Sequence, residues 1–239
     1  MTVPRGETPR ARWGLIESAA GFVGAFVLIS LLIAWLRGAL YYDPNVVLVL
    51  SYAVVWVPLL SAVVVASYIR GTRSLARDVG LRITWLDVFF GVGAGLLART
   101  AAAIIEIAMT GRMVGMGVTF GDTVYDGWWL FGTILAPVLI APFIEELFFR
   151  GLLLRAVQRA SATLLGSRTA TVIAILVSSL LFALLHLTQA VNPTAALILG
   201  ASAFVFGLAA ATIAALTGRI GGSIVAHIVF NGALVLTSL

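Results

Sequence analysis

The chain has 239 residues, of which 61% are apolar and 10% charged, and its mean hydropathy is +1.10. A soluble globule carries roughly 25% charged residues, so this composition cannot supply a soluble surface, and it equally excludes a disordered chain. The formal net charge of +5 sits in short loops between apolar runs, which points to membrane topology and not to nucleic acid.

Residues 1–12 form a polar, arginine-bearing head with Arg5, Arg10 and Arg12, and residues 13–239 read as one transmembrane domain. The uncharged run 18–36 is long enough to cross roughly 30 Å of hydrocarbon and too long for a signal-peptide core, so it is a retained first span. A second run covers 45–69, and a basic loop with Arg70, Arg73, Arg77 and Arg82 follows. A third span, 86–109, carries Arg99 and Glu106. A glycine-rich loop over 111–127 leads to Trp128 and Trp129, placed as interfacial aromatics. The fourth helix runs through Pro137, Pro142, Glu145 and Glu146 to about Gln158, which is longer than a simple crossing.

Residues 169–218 hold no Asp, Glu, Lys or Arg. One helix of that length would extend about 75 Å, so the stretch must be two spans, broken over 189–193 where Asn-Pro disfavours helix. A last span covers about 220–237. The expected fold is an all-α polytopic transmembrane helical bundle of about seven spans, with room for an eighth helix or a re-entrant segment in 111–127. The arginine-rich loops fall on one side, which the positive-inside rule places in the cytoplasm with the N-terminus, in a bacterial plasma membrane.

Charge inside a span is a functional signal by default. Glu145 and Glu146 are neighbours, about 100° apart on a helix, so they cannot share one environment. Glu146 and Arg150, four apart, stack on one face as an ion pair, which leaves Glu145 facing elsewhere in a poorly solvated cavity, suited to general-base work. The chain has two histidines. His186 shares a helix face with Phe182, four residues before it, and His227 shares one with Asn231, four residues after it. Two chemistries fit these groups. Glu145 and His186 can hold and deprotonate a water, with His227 and Asn231 donating to the oxyanion. Alternatively, Glu145, His186 and His227 can hold Zn²⁺, although the HExxH spacing is absent.

The three motifs, Glu145-Glu146-xxx-Arg150, Phe182-xxx-His186 and His227-xxx-Asn231, resemble those of the CPBP family of CAAX proteases and bacteriocin-processing (Abi-type) proteins. The resemblance covers about 128–232. It implies a helical bundle with a polar cavity in the membrane and hydrolysis of a peptide bond in a membrane-associated protein or peptide. Eukaryotic relatives remove the last three residues of prenylated CAAX proteins. By resemblance, Glu145 and His186 activate water, His227 and Asn231 form the oxyanion hole, Glu146 and Arg150 support them, and Phe182 shapes the pocket. This reading requires no cofactor, with zinc as its metal-dependent variant. It takes lipid and a protein or peptide substrate, lipidated or not, as partners.

The remaining features carry plainer readings. Arg99 and Glu106 share a face two turns apart and either pair or snorkel. Gly91/Gly95 and Gly218/Gly222 read as close helix packing within the chain. Trp13, Trp35, Trp56 and Trp85 read as interface anchors. Two other functional classes stand beside the protease: a non-enzymatic immunity or scaffold protein that keeps the motifs, and a small transporter, against which the lack of inverted repeats counts.

Overall fold

Backbone N–H and C=O groups find no water in hydrocarbon, so a chain this apolar has to satisfy them within helices. The computed structural model describes residues 14–112 and 125–236, and these form helices with no strand among them. In chain order they are α1 (Leu15–Gly38), α2 (Pro44–Ile69), the short α3 (Leu75–Asp78), α4 (Trp85–Thr110), α5 (Gly127–Leu165), α6 (Ser167–Gln189), α7 (Pro193–Thr217) and α8 (Gly221–Leu236). Among the described residues, six helices are long and apolar enough to cross a membrane. The apolar α8 has 16 residues, about 24 Å of helix, and is shorter than a full crossing. The protein is an integral membrane helical bundle.

The expected spans fall inside α1, α2 and α4, and the uncharged stretch divides over 190–192. There Asn192 caps α7 by accepting from the Ala195 N–H at 2.8 Å, with Pro193 at the first helical position. The fourth helix runs past the expected Gln158 to Leu165. The head at 1–12, Trp13, residues 113–124 of the glycine-rich loop and Thr237 lie outside the described residues.

The basic segments gather at one end of the bundle. Arg70 pairs with Glu17 at the start of α1. Arg219 clasps Asp87, the third residue of α4, with Nε and Nη2 at 3.0 and 3.1 Å from its two carboxylate oxygens. Asp87 also closes a capping box with Thr84. Arg155 donates to the Gly218 carbonyl at 2.6 Å, and Ile220 N–H donates to Gly80 O at 3.0 Å. These bonds tie the α2–α4 connection to the α7–α8 turn and fix where α8 enters the bundle.

α8 then runs parallel to α4 at close range. A Cβ on Gly91 would stand 2.7 Å from both the Gly222 carbonyl and Val225 Cβ, and one on Gly95 would stand 2.9 Å from Val229 Cβ. The Gly91/Gly95 pair therefore packs helices within the chain, as small-xxx-small motifs do. Gly218 differs from the expectation. It adopts φ +66 as the stop of α7, and a Cβ there would meet nothing within 4 Å, so it ends a helix and packs none. Trp56 is also displaced from its expected role. It lies mid-helix in α2 and stacks on Tyr52 at 4.8 Å, facing α5.

Gly95→Leu is expected to overpack this contact and cost about 1–3 kcal/mol, lowering the thermal midpoint in detergent. Gly93→Leu, with open space around its Cβ position, is expected to leave the midpoint unchanged.

Candidate active site

The site begins with two prolines in α5. Over Phe131–Ile140 the helix widens so that Ala141 N–H reaches Ala136 O, an i→i−5 bond, and it widens again over Leu147–Leu153. Such π segments occur frequently at functional sites. In that bonding pattern Pro137 and Pro142, lacking N–H groups, orphan the carbonyls five residues before them, Gly132 and Pro137. Both carbonyls have side-chain donors from other helices. Tyr52 of α2 donates its hydroxyl to Gly132 O at 3.2 Å, and Asn231 of α8 donates Nδ2–H to Pro137 O at 2.7 Å. This is how a membrane helix tolerates proline. It leaves Glu145 and Glu146 on the turn between the two widened segments.

Glu146 and Arg150 form the expected i,i+4 pair, Oε1 to Nη1 at 2.9 Å, with both side chains fully enclosed. Arg150 is caged. Its guanidinium lies 4.5 Å from the Phe182 ring centroid, 5.6 Å from that of Phe206 and 5.8 Å from that of Phe149, and Nη2 donates to Gly207 O at 3.3 Å. The same Glu146 oxygen accepts from His227 Nδ1 at 2.9 Å. That oxygen already accepts from Arg150, so it is the acceptor here too and the hydrogen on this bond belongs to Nδ1. The neutral His227 ring then presents a bare Nε2 lone pair. That atom stands 3.8 Å from Glu145 Oε2. Glu145 keeps 11% side-chain exposure where Glu146 has none, so it is the less enclosed of the two acids.

His186 closes α6. Its Nδ1 lies 2.8 Å from Phe182 O, and since a carbonyl only accepts, Nδ1 carries the hydrogen and Nε2 is bare. Its ring packs on Phe182 at 4.3 Å, and Phe182 packs edge-on to His227 at 5.5 Å. Phe182 thus touches both imidazoles while covering Arg150. Among the described residues, His186 forms no ion pair with Glu145; the histidine beside both glutamates is His227. Asn231 lies one turn beyond His227 with one amide N–H on Pro137 O and a second N–H still to give.

The segment 127–233, just under half of the chain, matches the family model for the type II CAAX prenyl endopeptidase Rce1-like proteins. This match supports assignment of the segment to the CPBP/CAAX protease family. No curated protein and no solved structure matches the chain. All seven motif residues lie within the CAAX-protease segment, and Tyr52 lies outside it.

A zinc set of Glu145, His186 and His227 does not fit the residues as placed. Among the described residues no three His, Asp or Glu side chains converge on a metal position, and no step below passes through a metal. Three features of the site were missed from sequence. The Glu146–His227 bond joins residues 81 apart. Phe206 in the arginine cage has no motif around it. Tyr52 was overlooked although the spacing of Pro137 and Pro142, five apart, marks the carbonyl that needs it.

Arg150→Ala is expected to leave Glu146 buried with only His227 as partner and to cost about 3–5 kcal/mol, seen as a large drop in thermal midpoint in detergent. Tyr52→Phe removes one hydroxyl donor and is expected to cost about 1 kcal/mol by the same measurement.

Proposed function

We propose that this protein is an intramembrane endopeptidase. It hydrolyses a peptide bond near the C-terminus of a membrane-associated, prenylated protein or peptide, and Glu145 is the general base. The observation that carries this reading is the pairing of the partly exposed Glu145 carboxyl group with the bare Nε2 of His227 at 3.8 Å. Two acceptors at that separation can each take one hydrogen of a single water.

In the reaction, Glu145 takes a proton as the water oxygen bonds to the scissile carbonyl carbon. The carbonyl π electrons move onto oxygen. The remaining N–H of Asn231 can donate to the developing negative charge, and the bare Nε2 of His227 accepts from the O–H that the attacking oxygen keeps. The C–N bond then breaks, and the proton held by Glu145 passes to the leaving amine. Glu146 keeps the His227 ring aimed throughout, in the manner of a carboxylate that orients a catalytic imidazole. His186, with its own bare Nε2, is the second group that can steer water towards Glu145. The match to the CAAX prenyl endopeptidase family supports the substrate class.

Membranes from cells expressing the native chain, compared with Glu145→Ala at matched abundance, test this reading by sequencing peptide termini. Termini present only with the native chain are expected. Identical sets would instead favour an immunity or scaffold protein that keeps the motifs.

A further inference from the structure

In these apolar helices Ser30, Ser179 and Thr217 donate back to the carbonyl four residues earlier, at 2.8, 2.7 and 2.8 Å. Ser178 and Ser223 donate instead to carbonyls of other helices, at 2.9 and 2.8 Å. Either bond lets an apolar helix carry a hydroxyl. Ser202 in α7 does neither. Among the described residues its Oγ is the one buried hydroxyl oxygen without a hydrogen-bond partner. A buried donor left unmade costs stability, so a hydroxyl kept in that condition calls for a functional account.

Helix register gives its neighbours. α6 and α7 run antiparallel, with Gly207 packed on Ser179 and Gly200 on Leu187. Between these contacts the rings of Phe206 and Phe182 lie 5.7 Å apart. One turn further on the same faces come Ser202 of α7 and His186 of α6. α8 is antiparallel to α7 as well. Ser223 donates to Ala210 O, and one turn on, the Phe206 ring lies 4.5 Å from that of His227. The next turn brings Ser202 level with Asn231. Serine is short, so its oxygen stays near the height of its own backbone. Ser202, His186 and Asn231 therefore share one level, a turn beyond His227.

That level is where the oxygen of a scissile carbonyl needs donors. One turn is about 5.4 Å. The attacking oxygen stands about 3 Å from the carbonyl carbon, and a donor stands about 3 Å from the oxyanion. A carbonyl attacked at the level of His227 thus brings its oxygen within reach of groups one turn on. Asn231 has one N–H to give there, its other being held by Pro137 O. His186 has a bare Nε2, which only accepts. Ser202 has an O–H that is committed neither to that nitrogen nor to any carbonyl.

We propose that Ser202 is a further catalytic residue, whose hydroxyl donates to the oxyanion beside Asn231. The inference rests on the endopeptidase reading above. Ser202 keeps its proton throughout, and its hydrogen bond forms as the carbonyl electrons move onto oxygen. A bond unmade in the resting protein and made in the transition state raises kcat and leaves substrate binding alone.

The test compares the native chain with Ser202→Ala, each reconstituted in phosphatidylcholine vesicles, on one synthetic prenylated peptide. Ser202→Ala is expected to lower kcat about a hundredfold, the effect of losing one oxyanion donor. KM is expected to stay within about twofold, and the pH profile of kcat to keep its position. The thermal midpoint in detergent is expected not to fall, because the hydroxyl removed has no partner in the resting protein. An unchanged kcat, or a rise in KM alone, would overturn the proposal and leave the endopeptidase reading standing. So would a loss of kcat with a lowered midpoint, which makes Ser202 structural, or with a shifted pH profile, which puts its hydrogen on His186. No cleavage by the native protein would overturn both.

Discussion

The arrangement turns on one desolvated oxygen. Glu146 Oε1 accepts from Arg150 and from His227, each at 2.9 Å, in a place with no exposure. Taking a carboxylate and a guanidinium out of water costs several kcal/mol per ion unless their partners and geometry are complete. Here the guanidinium is covered by three phenylalanine rings and bonded to the Gly207 carbonyl, which offsets part of that cost although Glu146 Oε2 and Arg150 Nε have no hydrogen-bond partner among the described residues, and α5, α6, α7 and α8 all meet around the pair. A weakly hydrated, planar Arg suits such a cage better than Lys would. The consequence for chemistry is a division between neighbours. Glu146 is paired with Arg150 and fully enclosed, and the rotation of one helical residue turns Glu145 to a face that keeps some exposure.

The half of the chain that lies outside the CAAX-protease match still shapes the site. Pro137 and Pro142 widen α5 and expose two carbonyls, which Tyr52 from α2 and Asn231 from α8 satisfy. Close approach at Gly91 and Gly95 fixes the register of α8 against α4, and with it the heights of His227 and Asn231. The polar end of the bundle, where Arg219 holds Asp87 and Arg155 holds Gly218, sets where α8 starts. The depth of His227 thus depends on the Gly91/Gly95 packing and on the Arg219–Asp87 and Arg155–Gly218 contacts, none of which involves a motif residue.

The spans were legible because composition and uncharged length decide them, and the break over 190–192 because Asn-Pro does. The Glu146–Arg150 pair was legible because it is local, four residues on one face. Long-range partners were not. The sequence reading joins Glu145 to His186 and does not reveal that His227 lies beside both glutamates, while His186 packs on Phe182. Periodicity tells which residues share a face of one helix and says nothing about which helix that face meets. The same limit applies to Trp56, whose aromatic character suits a membrane interface or a stacking partner equally until Tyr52 is placed beside it. Gly218 followed the spacing of a packing motif, but its positive φ makes it a helix stop.

The central claim is that Glu145 activates water for peptide hydrolysis while Glu146 only orients. It is tested most directly by mass spectrometry of a purified, vesicle-reconstituted reaction run in H₂¹⁸O on a synthetic prenylated peptide. The account predicts one new peptide carboxylate carrying a single ¹⁸O from the native protein and none from a folded Glu145→Gln variant. Cleavage by Glu145→Gln at the native rate, or a stable native protein that leaves the peptide intact, would contradict it.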